Sequence, residues 1–139
     1  MSESVDAGLH VYLVEDHALL RSVLCEYVSR MPGVARCTSA PDAESALPAL
    51  RDDPPDFVLI DLSLPGMNGI ELIRELRRHH RSMPLAILSG HRSLSYARDA
   101  FVAGADGYLL KGDMDELERG MHAICGGKRY MSAGLEHEA

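Results

Sequence analysis

Five times along the 139-residue chain a short apolar run is followed, after a few polar residues, by a segment whose apolar residues recur every three or four positions. The runs are Leu9 to Glu15 (LHVYLVE), Val34 to Ala40 (VARCTSA), Phe57 to Asp61 (FVLID), Pro84 to Ser89 (PLAILS) and Asp106 to Leu110 (DGYLL). Short runs rich in branched residues and bounded by turn formers read as strands. Neighbouring parallel strands need a crossover of about a dozen residues, usually a helix, so strict alternation predicts a parallel sheet with helices on both faces. Most of the runs are continuously apolar rather than alternating, as strands buried on both faces must be. The predicted fold is therefore α/β, a (βα)5 doubly wound five-stranded parallel sheet.

The intervening segments carry helical stripes. Leu20, Val23, Leu24, Tyr27, Val28 and Met31 form the first, closed by Pro32-Gly33. Ala43, Ala46, Leu47 and Leu50 mark a second helix over Pro41 to Arg51, where Pro48 predicts a kink, a short helix or a shifted boundary. A third starts near Gly69 with Ile70, Leu72, Ile73 and Leu76 inward and a basic remainder. A fourth spans Ser93 to Val102 and is closed by Gly104. The last, Asp113 to Cys125, has acids in its first turns and Met114, Leu117, Met121, Ile124 and Cys125 inward.

Composition narrows the function. The chain fits one domain with one core. Its longest apolar runs fall far short of the ~20 residues of a membrane span, and MSESVDAGLH lacks the regions of a signal peptide, so a cytoplasmic location is expected. Cys25, Cys37 and Cys125, odd in number and widely spaced, read as small core residues. A net charge of −7 argues against gripping a phosphate backbone, so any DNA binding requires another domain.

In open parallel sheets ligands bind outside the carboxyl ends of the strands. Those ends carry Glu15-Asp16, Asp61, Ser89-Gly90 and Lys111; the second strand contributes nothing obvious. Singly, each has a plain structural reading as a cap, a turn residue or a surface lysine. Together they are complementary. Crowded carboxylates repel unless a cation neutralises them, and hard oxygen ligands suit Mg²⁺. Ser89 can donate to an anionic oxygen and Lys111 can balance negative charge, which describes a phosphoryl site with Asp61 as candidate nucleophile.

The segments LVEDH (Leu13 to His17), LIDLSLPGMNG (Leu59 to Gly69), ILSG (Ile87 to Gly90) and GADGYLLKG (Gly104 to Gly112), in that order, resemble the receiver (CheY-like) domains of bacterial two-component response regulators. EDHALLR, DLSLPGMNG, AGADGYLLK and AICGGKRYMS resemble the NarL/FixJ class, whose receivers precede a LuxR-type DNA-binding domain. The resemblance implies a flavodoxin/CheY-like strand order of 2-1-3-4-5 and a receiver over residues 9–126, with an N-terminal extension at 1–8 and a tail or linker start at 127–139. It also implies Asp61 as phosphoacceptor from a sensor histidine kinase, and Mg²⁺ on Asp16, Asp61 and the Ser63 carbonyl, with Glu15 assisting. Ser89 and Lys111 would contact the phosphoryl group, and Ser89 with Tyr108 would form a switch that changes the face of the fourth helix, fifth strand and fifth helix. Homodimerisation on phosphorylation is compatible with it, and DNA would be reached only through an output domain absent from this chain. Truncated receiver and stand-alone receiver both remain open.

Receivers commonly have proline after the lysine; Gly112 stands there instead, and the geometry of that bond is left open. Two other classes share parts of the pattern. A haloacid-dehalogenase-like phosphatase would want an acid two residues after Asp61, where Ser63 stands, and a flavin binder would want a Gly/Ser/Thr-rich loop where EDHALL stands.

Overall fold

The computed structural model describes residues 8–137. Residues 1–7, nearly all of the expected N-terminal extension, and 138–139 lie outside the described residues. In chain order the elements are β1 (Leu9–Val14), α1 (Ala18–Ser29), β2 (Val34–Ala40), α2 (Ala43–Asp52), β3 (Phe57–Asp61) and α3 (Gly69–His79). Then come β4 (Leu85–Ser89), α4 (Leu94–Ala103), β5 (Gly107–Leu110), α5 (Met114–Cys125) and β6 (Tyr130–Met131). All strand pairs are parallel, in the order β2-β1-β3-β4-β5-β6.

The continuous apolar runs behave as burial on both faces requires. Along β3, Val58 and Ile60 enter one apolar layer with α2, α3 and α4, while Phe57 and Leu59 enter the other with α1 and α5. Side chains alternate faces along a strand, so an unbroken apolar run fills both layers at once. Each helix is started by a side chain that accepts the amide of its third residue: His17, Asp42, Asn68, Ser93 and Asp113. These caps terminate each loop just beyond a strand's carboxyl end.

Three expectations need correction, and the effect expected of Pro48 takes the form of a shifted boundary in a ten-residue helix. The sheet has a sixth strand, because Tyr130 and Met131 pair with Gly107 and Tyr108 along the edge of β5. Val23, assigned inward, is 55% exposed together with Leu19, since the buried stripe of α1 narrows to Leu24 and Val28. Cys125 is exposed at the last turn of α5 rather than in the core, while Cys25 and Cys37 are half-buried and all three are free thiols. Pro48 lies inside α2, which continues through it to Asp52; the amide it lacks would have paired with the Glu44 carbonyl.

At the opposite end of the sheet from the acids, Arg77 of α3 ties three segments. Its guanidinium donates to the carbonyls of Gly104 (2.9 Å), His80 (2.9 Å) and Met83 (2.7 Å) and pairs with Asp106 Oδ2 at 3.0 Å. Asp106 Oδ2 also accepts the Leu85 amide at 3.1 Å, so one carboxylate anchors the start of β4 to the start of β5. Arg77→Ala strands three carbonyls and a partly buried carboxylate. It should lower unfolding stability by about 3 kcal/mol in urea titration, whereas Arg78→Ala on the exposed face should change it by less than about 0.5 kcal/mol.

Candidate functional site

The carboxyl edge of the sheet assembles the predicted residues from four elements. Glu15 follows β1, Asp61 closes β3, Ser89 closes β4, and Lys111 follows β5. The parallel register makes these ends neighbours: Asp61 pairs with Leu88, and Ser89 with Leu110. Carboxylate oxygens of Glu15, Asp16 and Asp61 lie within 4.8 Å of one another. Glu15 and Asp61 are buried, 1% and 5% exposed, while Asp16 faces solvent.

One ammonium stands against two of the three acids. Lys111 Nζ stands 3.0 Å from Glu15 Oε1 and 3.3 Å from Asp61 Oδ1. Burial works to lower the Lys111 pKa, but the paired Glu15 and Asp61 outweigh it and hold it above the usual lysine value. Burial and the Glu15 charge push the Asp61 carboxyl up, against the opposing pull of Lys111 and of the Ser63 amide, which donates to Asp61 Oδ1 at 3.2 Å. Surplus negative charge in a site open at Asp16 fits a hard divalent cation with room for water. Three carboxylates are a donor set of that kind.

Several residues that sequence reasoning passed over shape this edge. Arg21 donates from Nη1 to the Glu15 carbonyl at 2.8 Å, tying the acidic turn to α1. His17, which stands beside the acids in sequence, is outside the acidic cluster: its Nδ1 caps α1 by accepting the Leu20 amide, and its own amide donates to Glu15 Oε2. Glu44, at the start of α2, accepts the Met67 amide at 3.2 Å and so holds the loop after Asp61. A charged residue one helical turn from a strand end is the only signal for Arg21 and Glu44, and surface charges share it.

The glycine that ends PGMNG has a definite cause. A Cβ on Gly69 would lie 2.5 Å from the Asp61 carbonyl oxygen and 3.0 Å from Leu62 Cα, both backbone atoms, so only glycine lets α3 begin against the end of β3. Gly112, after Lys111, has φ +103° and its preceding peptide bond is trans. Proline, locked near φ −65°, cannot adopt that backbone, which accounts for glycine there.

Ser89 and Tyr108 meet at one loop residue. Ser89 Oγ accepts the His91 amide at 2.9 Å, and the Tyr108 hydroxyl donates to the His91 carbonyl at 2.7 Å. Tyr108 is fully buried and already points inward.

Residues 11–121 match the family model described as "Response regulator receiver domain". Among curated proteins, the chain is 32% identical over 127 residues to the nitrate/nitrite response regulator protein NarL of Escherichia coli K12, covering 90% of this chain and 58% of that one. It is 38% identical over 117 residues to the two-component response regulator PhoP of Pseudomonas aeruginosa, covering 84% of this chain and 51% of that one. The chain thus spans little more than half the length of these relatives. Among solved structures, a LuxR-family two-component response regulator from Aurantimonas sp. SI85-9A1 superposes with a TM-score of 0.87 at 35% identity, covering 93% of each chain. The receiver domain of RcsB from Salmonella enterica, solved with phosphomimetic BeF3-, shares the fold at a TM-score of 0.82 and 20% identity, over 93% of this chain and 96% of that one.

The crowding of Glu15 and Asp61 makes a stability prediction whose sign follows from protons. A carboxyl with a raised folded pKa binds its proton more tightly when folded, so stability is lost as pH rises above the unfolded carboxyl value. In metal-free buffer at neutral pH, Asp61→Asn should melt above the wild type by about 3 °C, on the order of 1 kcal/mol, and the gap should close as pH falls toward 4. Thermal melts across that range with EDTA present check it; a lower melting temperature for Asp61→Asn at pH 7 would contradict the repulsion.

Proposed function

The chain belongs to the response regulator receiver domain family, and from that premise we propose that residues 9–126 accept a phosphoryl group on Asp61 from the phosphohistidine of a sensor kinase. The observation that carries the proposal is the convergence of Glu15, Asp16, Asp61 and Lys111 on one strand edge. The Ser63 amide and the Lys111 ammonium both contact Oδ1 of the Asp61 carboxylate, and Oδ2 is the oxygen we assign to attack. The P–N bond of the donor breaks as the O–P bond forms, and the departing imidazole nitrogen keeps the electron pair.

The residues present fit Mg²⁺, which Asp16, Asp61 and the Ser63 carbonyl would hold, with Glu15 assisting. When bound it neutralises phosphoryl oxygens during transfer. Lys111, already shared between Glu15 and Asp61, turns toward the incoming phosphoryl oxygens as charge develops there. Ser89 supplies a hydroxyl donor at the same group. The exposed position of Asp16 and the open side of Gly90, beside which a Cβ would meet nothing within 4 Å, leave the approach clear for a donor. Ser63, not an acid, stands two residues beyond Asp61, which favours self-modification over the turnover of a separate substrate by a phosphatase.

Output follows from the relatives. They extend beyond the matched region, one similar protein is the transcriptional regulatory protein DegU of Brevibacillus brevis, 28% identical over 99% of this chain and 59% of that one, and the Aurantimonas neighbour is a LuxR-family regulator. We assign the chain the role of controlling a LuxR-type DNA-binding unit in the cytoplasm, with a phosphorylation-dependent homodimer as its means. No helix among the described residues is long and apolar enough to cross a membrane.

Incubation with Mg²⁺ and a small phosphodonor should leave one phosphoryl adduct on Asp61 by mass spectrometry. EDTA should abolish it, and Lys111→Ala should slow its formation by about 10²-fold, the scale of losing one positioned electrostatic group. An equal adduct on Asp61→Ala would sink the assignment.

A further inference from the structure

Beyond α5 the described residues stay on the domain. The Tyr130 amide donates to the Asp106 carbonyl at 3.1 Å, the Ser132 amide to the Tyr108 carbonyl at 2.9 Å, and the buried Ser132 Oγ accepts the Leu110 amide at 2.9 Å. This part of the tail is stitched to the sheet. Farther on, the tail meets a different element: the Glu136 amide donates to the Arg92 carbonyl at 2.8 Å, and its carbonyl accepts the Leu94 amide at 3.1 Å. Leu135 packs against the core between them.

The loop that receives Glu136 is the one that Ser89 and Tyr108 hold by His91. Four consecutive residues, 91 to 94, therefore join the hydroxyl of the phosphoryl site to the backbone of the tail. Tyr108 is already inward, so no large aromatic movement stands between them.

We propose that residues 134–136 are a latch: docked on the β4–α4 loop while Asp61 is unmodified, and released when Ser89 engages a phosphoryl group. The latch rests on the reading of Asp61 as phosphoacceptor. As the Ser89 side chain moves toward a phosphoryl oxygen on Asp61, its Oγ either leaves the His91 amide it accepts or draws the loop after it. Hydrogen bonds weaken steeply with misalignment, so a shift of the loop breaks the paired contacts at Glu136. Ser132 bonds to β5 and the Ala133 amide donates to Glu116 Oε2 of α5 at 3.2 Å, neither of which the loop carries, so both residues stay in place. The end of the tail thus reports the state of the site to whatever chain it joins.

Residue-resolved amide exchange on the full chain with Mg²⁺, with and without beryllofluoride, tests this, with ¹⁹F NMR recording the adduct on Asp61. The expected result is an adduct accompanied by at least about tenfold faster exchange at Glu136 and no change at Ser132. By reciprocity, Glu136→Pro, which deletes the donor to Arg92, should raise the apparent affinity for beryllofluoride by about fivefold. An adduct with unchanged exchange at Glu136, equal acceleration at Ser132, or unaltered affinity in Glu136→Pro overturns the latch while leaving the phosphoacceptor reading intact. No adduct at all overturns the phosphoacceptor reading and the latch with it.

Discussion

Because the central strands of this sheet are buried on both faces, charge is confined to the two ends of the strands, and the two ends resolve it in opposite ways. At the amino end Arg77 and Asp106 meet one to one; the guanidinium also donates to three loop carbonyls, and the carboxylate also accepts the Leu85 amide. At the carboxyl end Lys111 is shared between Glu15 and Asp61, with Asp16 beside them. The first arrangement is complete within the protein. The second is balanced only when something cationic, or a neutralised carboxylate, is added.

That imbalance is what the proposed cation and the proposed modification of Asp61 would relieve, in a domain whose core is otherwise ordinary. Two buried acids held against one ammonium lower stability at neutral pH, and the cost can persist only because the surrounding scaffold fixes them. Gly69 fixes Asp61 by letting α3 abut its carbonyl, Arg21 fixes the Glu15 carbonyl, and Glu44 fixes the loop at Met67. Each acts on backbone rather than on the Asp61 carboxylate. Preorganisation of this kind leaves the Asp61 side chain free of competing partners other than Lys111 and its own turn.

Much of this was legible in the sequence because it follows from periodicity. Apolar runs and three-to-four spacing placed β1 to β5 and α1 to α5 within a residue or two, and strand ends led to Glu15, Asp16, Asp61, Ser89 and Lys111 before any distance was known. What escaped has a common cause. β6 is two residues long, half-exposed and flanked by Lys128, Arg129 and Ser132, so no period marks it; it exists because Gly107 and Gly120, where a Cβ would fall 3.2 Å from the Tyr130 carbonyl and 3.0 Å from its ring, let the tail lie close. The exposure of Val23 and Cys125 reflects where two amphipathic stripes end, which spacing alone places only to within a turn. The role of His17 as a cap was hidden by its neighbours, since a histidine beside two acids suggests a ligand more readily than an acceptor for Leu20.

The strength of the tail's attachment bears on how it can act. Glu136 contributes two backbone hydrogen bonds, each worth about 1 kcal/mol net, and Arg92 adds a third from Nη1 to the Gly134 carbonyl at 3.4 Å. Shifting a two-state equilibrium almost fully from one side to the other takes about 5.5 kcal/mol. An attachment of roughly half that size is therefore strong enough to bias the resting state and weak enough to be overcome by hydrogen bonds to a charged phosphoryl group, worth about 1.5 to 3 kcal/mol each. A tail continued as a full strand would exceed that range and would stay fixed whatever Ser89 did; ending β6 at Met131 keeps the segment beyond Ser132 within reach of the site.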